Sequence, residues 1–132
     1  MVRLVEAISQ AQAIRLEKRA GQESAAQART LRDIAHCEKL LNSYEMEAEY
    51  WERKAKLSSS QILKKSSLEE VIIIHYKIKR TAEKLRSSYS SIGDEQKEGM
   101  YDAYSRAIQK EILSFEKDLV SLWVPGKIVL RK

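Results

Sequence analysis

The chain has 132 residues, of which 33% are charged and 43% hydrophobic, and its formal net charge is +5. One proline and four glycines exclude a collagen-like or low-complexity chain, and the apolar content excludes a wholly disordered one. No stretch approaches the roughly 20 apolar residues of a transmembrane helix, and the mixed start is unlike a signal peptide. The single cysteine, Cys37, excludes an internal disulfide and favours an intracellular, cytoplasmic location.

The first predicted element is a long helix over residues 2–57. Helix propensity is high from residue 2 to 20, and Gly21 then either breaks the helix or only weakens it. We favour one continuous or slightly kinked helix. Its second half carries apolar residues at alternating intervals of three and four, which form a stripe that must be buried against partner helices. The stripe consists of Ile34, Cys37, Leu41, Tyr44, Ala48, Trp51 and Ala55.

A second helix is predicted over residues 67–91, after a serine-rich break at Ser58–Ser60. Ser67 and Glu70 have the spacing of a capping box, which marks a helix start. The β-branched run over 71–74 would also suit a buried strand, but the stripe continues on both sides of it and favours a helix. The stripe consists of Leu68, Val71, His75, Ile78, Ala82, Leu85, Tyr89 and Ile92.

The third helix is predicted over residues 94–124, with Asp94 as its N-cap and Pro125 and Gly126 as its stop. Its stripe has one weak position, Ser105. Residues 127–132 form a short strand, a docked tail or a disordered end. The fold class is therefore all-α, an elongated antiparallel bundle or coiled coil of three long helices (four if the chain breaks near Gly21). The bundle forms one domain over 1–126, followed by the tail.

The register between the first two predicted helices follows from their stripes. An antiparallel pairing that packs Leu41 against Ala82 places glutamates of the first helix opposite basic residues of the second. We expect Glu45 to meet Lys79 and Glu38 to meet Arg86.

Catalytic and metal-binding patterns are missing from the sequence. His75 lies on an apolar stripe, where a core histidine bonded to a neighbour is the more common role. His36 and Cys37 are adjacent and point about 100° apart on a helix, so they cannot act on one atom. No phosphate-binding glycine loop or Glu-x-x-His pair is present. We expect no enzyme activity, cofactor, metal or small-molecule substrate.

The predicted function is a protein–protein interaction or assembly module that acts through helix–helix packing, as a homo-oligomer or as a subunit of a larger complex. Two shorter predicted helices cannot cover the whole first helix, so its early apolar residues need another chain. The candidate interaction residues are those of this uncovered stripe and the aromatic residues beside the stripes: Leu4, Ile8, Ala11, Tyr50, Tyr76 and Trp123.

The alternative function is binding to an anionic polymer or surface, such as nucleic acid, an acidic protein lattice or lipid, through residues 64–86. Residues 58–92 hold seven basic and three acidic residues, and three of the basic ones form an outward stripe. A solvated helix face is the simpler interpretation of such a stripe. The candidate residues are Lys64, Lys65, Lys77, Arg80 and Lys84.

Overall fold

The computed structural model describes residue 12 and residues 25–131, with side chains described up to residue 122. The described part consists of helix α1 (Ala25–Leu57), helix α2 (Gln61–Ser91) and helix α3 (Glu95–Arg131). Helix α2 packs along both α1 and α3, whereas α1 and α3 make no close backbone contact within the described residues. The predicted all-α bundle of long helices is confirmed.

The core lies along both sides of α2 and is built from the predicted stripes. The α2 run over 71–74 is helical, with Ile72 and Ile74 buried and Ile73 exposed, as expected for a helix that touches two neighbours. One cluster of buried side chains joins the three helices. It consists of Leu31, Ile34, Cys37, Leu41, Ala48, Ile74, Ile78, Ala82, Leu85, Tyr89, Tyr101, Ile108 and Ile112.

The start of α2 differs from the prediction. The helix begins at Gln61 instead of residue 67, because Ser60 is its N-cap and accepts a hydrogen bond from the backbone N–H of Leu63 at 3.4 Å. Ser67, which we expected to begin the helix, is buried in its interior. The α1–α2 connection is therefore only three serines long.

The α2–α3 turn has the predicted residues in their predicted roles. Gly93 has a φ of +77°, and the N–H of Gly93 bonds to the carbonyl of Ser90 while that of Asp94 bonds to Tyr89. This pair of bonds is a Schellman motif, which needs a left-handed residue that glycine supplies without steric cost. Asp94 then caps α3 by accepting from the N–H of Lys97 at 3.1 Å.

The end of α3 also differs from the prediction. The helix continues through Pro125 and Gly126 to Arg131, so the expected stop at residue 124 and the separate tail over 127–132 are wrong. Proline in a helix interior removes one backbone hydrogen bond.

The predicted helix over residues 2–24 and the question of a break at Gly21 lie outside the described residues, apart from Gln12. Gln12 is helical, and its Nε2 donates to Oδ2 of Asp94 at 3.1 Å. Gln12 therefore contacts the bundle at the α2–α3 turn.

Candidate functional site

Three glutamates at seven-residue intervals on α1 face α3: Glu38, Glu45 and Glu52. They were predicted to lie at the flank of the α1–α2 contact, but α3 occupies that side of α1. The expected ion pairs are therefore wrong. Arg86 instead lies 3.9 Å from the carboxylate of Asp102 on α3, and Lys79 forms no ion pair within the described residues. We call the three glutamates the acidic row.

Glu38 is the most buried member of the acidic row, with 1% of its surface exposed. Its Oε2 accepts hydrogen bonds from the hydroxyls of Tyr89 at 2.9 Å and Tyr101 at 2.6 Å. The two tyrosine rings stack with centroids 5.7 Å apart. One carboxyl oxygen of Glu38 thus joins α1, α2 and α3 through buried hydrogen bonds.

Glu45 makes the next link, by accepting a hydrogen bond from the hydroxyl of Tyr104 on α3. Burial raises the pKa of Tyr104 far above its usual value, and the bond to Glu45 and the negative charges of Glu45 and Glu111 raise it further. Tyr104 therefore stays a hydrogen-bond donor throughout the ordinary pH range. Its side chain links α3 to α1, although the backbones of these two helices are too far apart for close contact.

Glu52 lies near His75 of α2 and Glu111 of α3. Nδ1 of His75 donates a hydrogen bond to the carbonyl of Val71, 2.9 Å away. In the neutral ring Nε2 therefore carries the lone pair, and this nitrogen lies 3.7 Å from Oε2 of Glu111. Burial raises the pKa of Glu52; His75 lowers it and Glu111 raises it.

The ring of His75 also packs edge-on against Phe115, with centroids 5.0 Å apart. With 3% of its surface exposed, His75 is the bonded core histidine that its stripe position predicted. No group of three or more His, Cys, Asp or Glu residues suited to a metal ion occurs in the described part of the chain. The sole cysteine, Cys37, is buried, and burial raises the pKa of its thiol despite the nearby Lys84. Burial of this kind makes a thiol unreactive.

An open groove of about 380 Å³ lies beyond this cluster, toward the α1–α2 turn. The groove runs between the end of α1 and α3, with the first turns of α2 as its floor. Its apolar lining is Ala55, Leu68, Phe115 and Leu122, and its polar lining is Glu52, Lys56, Lys64, Asp118 and Ser121. We call this feature the α1–α3 groove.

The predicted interaction residues are spread over different faces. Tyr50 is about half exposed and packs edge-on against Trp51, while Lys54 lies 5.6 Å and 5.1 Å from their ring centroids. Tyr76 lies on α2, and its hydroxyl donates a hydrogen bond to the carboxylate of Glu116 on α3 at 3.1 Å. The remaining candidates, Leu4, Ile8, Ala11 and the side chain of Trp123, lie outside the described residues.

The predicted basic stripe of α2 is exposed, but its members differ in their contacts. The ammonium of Lys77 lies 5.9 Å from the ring centroid of Tyr44, a cation–π contact with α1. Arg80 and Lys84 are exposed and form no ion pair with any described residue. Lys64 and Lys65 are half-buried near the α1–α2 turn, away from the other three.

Sequence reasoning missed the links between the acidic row and the tyrosines of α2 and α3. A signal was present, because glutamates at 38, 45 and 52 repeat with the period of the helix contact. Their partners were hidden because a tyrosine on an apolar stripe looks like an ordinary core residue.

Comparisons with known proteins identify no relative: no family model matches the chain, and no curated protein or solved structure matches it. Within the described residues, no helix combines the length and apolar character needed to cross a membrane.

Proposed function

We propose that this chain is a non-enzymatic assembly module that forms an antiparallel dimer through helix–helix packing. The α1–α3 groove carries the proposal. Helices α1 and α3 flank α2 without close backbone contact, so a fourth helix position remains beside them. The apolar lining of the groove favours an apolar helix face as its occupant.

The occupant we propose is the N-terminal stripe of a second copy, which holds Leu4, Ile8 and Ala11. Gln12 is bonded to Asp94 at the end of the bundle opposite the groove. The 24 residues of α3 between Asp94 and Asp118 span about 36 Å, whereas the eleven residues before Gln12 would span about 17 Å as a helix. A helical segment of the same chain is therefore too short to reach. A second copy in reversed orientation brings its own segment beside the groove.

The polar interior supports a structural role. Glu38 and Glu45, two buried or half-buried carboxylates that could otherwise serve in acid–base chemistry, accept hydrogen bonds from tyrosines. His75 is held between Val71, Glu111 and Phe115 with almost no exposure. These groups fix the three helices relative to one another, as a module needs if it is to present a groove of constant shape.

The test is the solution mass, measured by light scattering at about 50 mM and about 500 mM NaCl. We expect twice the 15.2 kDa of one chain at both salt concentrations, since apolar helix packing is not screened. Ile8→Asp in the stripe and Ser121→Arg on the groove wall should each give the mass of one chain. Ser87→Arg, a matched change on the exposed face of α2, should leave the dimer intact.

A single-chain mass for the wild-type protein at both salt concentrations would refute the dimer. It would mean that the chain turns back near Gly21 and that the N-terminal stripe packs along its own bundle. An unchanged dimer in Ser121→Arg together with a monomer in Ile8→Asp would remove the groove from the interface.

A further inference from the structure

The α1–α2 turn holds the entire net charge of the protein. Residues 53–65, which we call the hairpin tip, contain five of the 24 basic residues and none of the 19 acidic ones. The remaining 19 basic and 19 acidic residues cancel. The basic residues of the hairpin tip are Arg53, Lys54, Lys56, Lys64 and Lys65.

The hairpin tip also exposes its aliphatic side chains. Leu57, at the last position of α1, is 78% exposed, and Ile62 and Leu63, in the first turn of α2, are 79% and 54% exposed. Leu57 and Ile62 are the most exposed large apolar side chains of the described residues. Only the four residues from Ser58 to Gln61 separate Leu57 from Ile62, so all three aliphatic residues lie at the turn between α1 and α2.

We propose that the hairpin tip is a docking site for an anionic lipid surface. The lysines and Arg53 are attracted to the headgroup charge, and Leu57, Ile62 and Leu63 enter the boundary between headgroups and acyl chains. Two weak signals, a basic cluster and an inserted apolar group, together give stable membrane attachment where either alone is marginal. This proposal does not depend on dimer formation.

The combination of aliphatic and basic groups favours lipid over nucleic acid. Phosphate backbones are bound by basic and polar groups, and bases stack on aromatic rings, so exposed leucine and isoleucine gain nothing from either. Lys54 lies over the rings of Tyr50 and Trp51 on the preceding turns of α1, although about half of Tyr50 stays exposed. A lipid boundary is the partner that uses both kinds of side chain.

The experiment is cosedimentation of the full chain with phosphatidylcholine vesicles that contain about one third phosphatidylserine, and with vesicles of phosphatidylcholine alone. We expect binding to the anionic vesicles that is at least about tenfold tighter, and that weakens as the salt concentration rises. The double variant Leu57→Ser, Ile62→Ser should lose at least about tenfold in affinity, since it removes most of the inserted apolar area. Its matched control is Ile73→Ser, Leu113→Ser, which removes exposed aliphatic groups elsewhere and should bind within about twofold of wild type.

A second matched pair of variants tests the contribution of charge to vesicle binding. Arg53→Gln, Lys56→Gln should weaken binding at least about tenfold, whereas Arg80→Gln, Lys84→Gln removes the same charge from the face of α2 and should have little effect. Insertion of the hairpin tip into the membrane is tested by tryptophan fluorescence. Brominated lipids should quench the fluorescence added by Ile62→Trp and should not quench that added by the control variant, Leu113→Trp.

Several results would overturn the proposal. These are no binding to either vesicle, equal binding to both, or tip variants that bind as the wild type does. A loss in the α2 variant as large as in the tip variant would mean that net charge acts without a defined site. Binding to a duplex or single-stranded oligonucleotide that is tighter than vesicle binding and unaffected by Leu57→Ser, Ile62→Ser would assign the basic residues to nucleic acid.

Discussion

Removing the hydroxyl of Tyr101 should cost more stability than any other change of one oxygen atom in the described core. Tyr101 donates to Glu38 at 2.6 Å, and both side chains are buried. Tyr101→Phe keeps the ring that stacks on Tyr89 and removes only the donor. A buried acceptor that loses its donor costs about 1–3 kcal/mol, so we expect the free energy of unfolding to fall by about 2 kcal/mol.

The protein contains its own control for this prediction. Tyr76 also donates to a glutamate, Glu116, at 3.1 Å, but both lie at the surface of the α2–α3 contact. Water replaces a lost bond there, so Tyr76→Phe should leave the free energy of unfolding close to that of the wild type. The two variants remove the same atom from the same pair of residue types. Their difference therefore measures the effect of burial.

The assay is urea unfolding followed by the helical circular dichroism signal. With a slope of about 1–2 kcal/mol per M urea for a chain of this size, Tyr101→Phe should lower the midpoint by about 1 M or more at an unchanged slope. A midpoint for Tyr101→Phe within error of that for Tyr76→Phe would refute the reasoning. It would show that Glu38 finds water or another donor when this hydroxyl is removed.

Three further predictions concern the turn and the acidic row. Gly93→Ala should cost about 1–2 kcal/mol by urea unfolding, because a Cβ there meets no other atom and only the left-handed φ of +77° is penalised. Asp94→Ala should cost about 1 kcal/mol in the same assay through the lost N-cap of α3. The pKa of Glu52 is raised above 4.5, chiefly by burial. The stability that this carboxyl group contributes is therefore fully present below pH 4.5, and it is lost as the pH rises through the raised pKa. Glu52→Gln should therefore be more stable than wild type at about pH 7 but not at about pH 4, and a difference independent of pH would contradict the assignment.

The helices and their buried faces could be predicted from the sequence because each depends on local spacing. The positions of the α2 stripe from Leu68 to Tyr89 are all buried, and so are most of those in α1. Gly93 and Asp94 were recognisable because a left-handed turn and an N-cap each require particular residue types. The start of α2 was not, because Ser60 and Ser67 are both good caps and the residues between them carry no stripe.

The partners of the acidic row could not be predicted, because the register was worked out for two helices only. A third helix that packs on the same side of the pair takes over the flanking positions. Glu38 then meets Tyr101, which is 63 residues away in the sequence. The spacing of residues along α1 carries no information about which helix approaches that side.

The concentration of charge at the hairpin tip was missed in the sequence, because the segments used for counting divide it at the predicted break. Counted by segment, the excess falls in residues 58–92, which include the basic stripe of α2 but leave out Arg53, Lys54 and Lys56. The fold places the end of α1 beside the start of α2 and joins these residues to Lys64 and Lys65. A count across the predicted break, over residues 53–65, would have found the excess in the sequence alone.

The two proposals together predict a property that neither has alone. In an antiparallel dimer the hairpin tips lie at opposite ends, separated by about the length of α2, which for 31 residues is about 46 Å. One flat surface cannot then engage both tips, so the dimer should bridge two vesicles and raise the turbidity of an anionic vesicle suspension. Ile8→Asp should abolish the turbidity and keep binding, whereas Leu57→Ser, Ile62→Ser should abolish both. A dimer that binds anionic vesicles without clustering them would have both tips on one surface, which would refute the antiparallel arrangement and favour a parallel one.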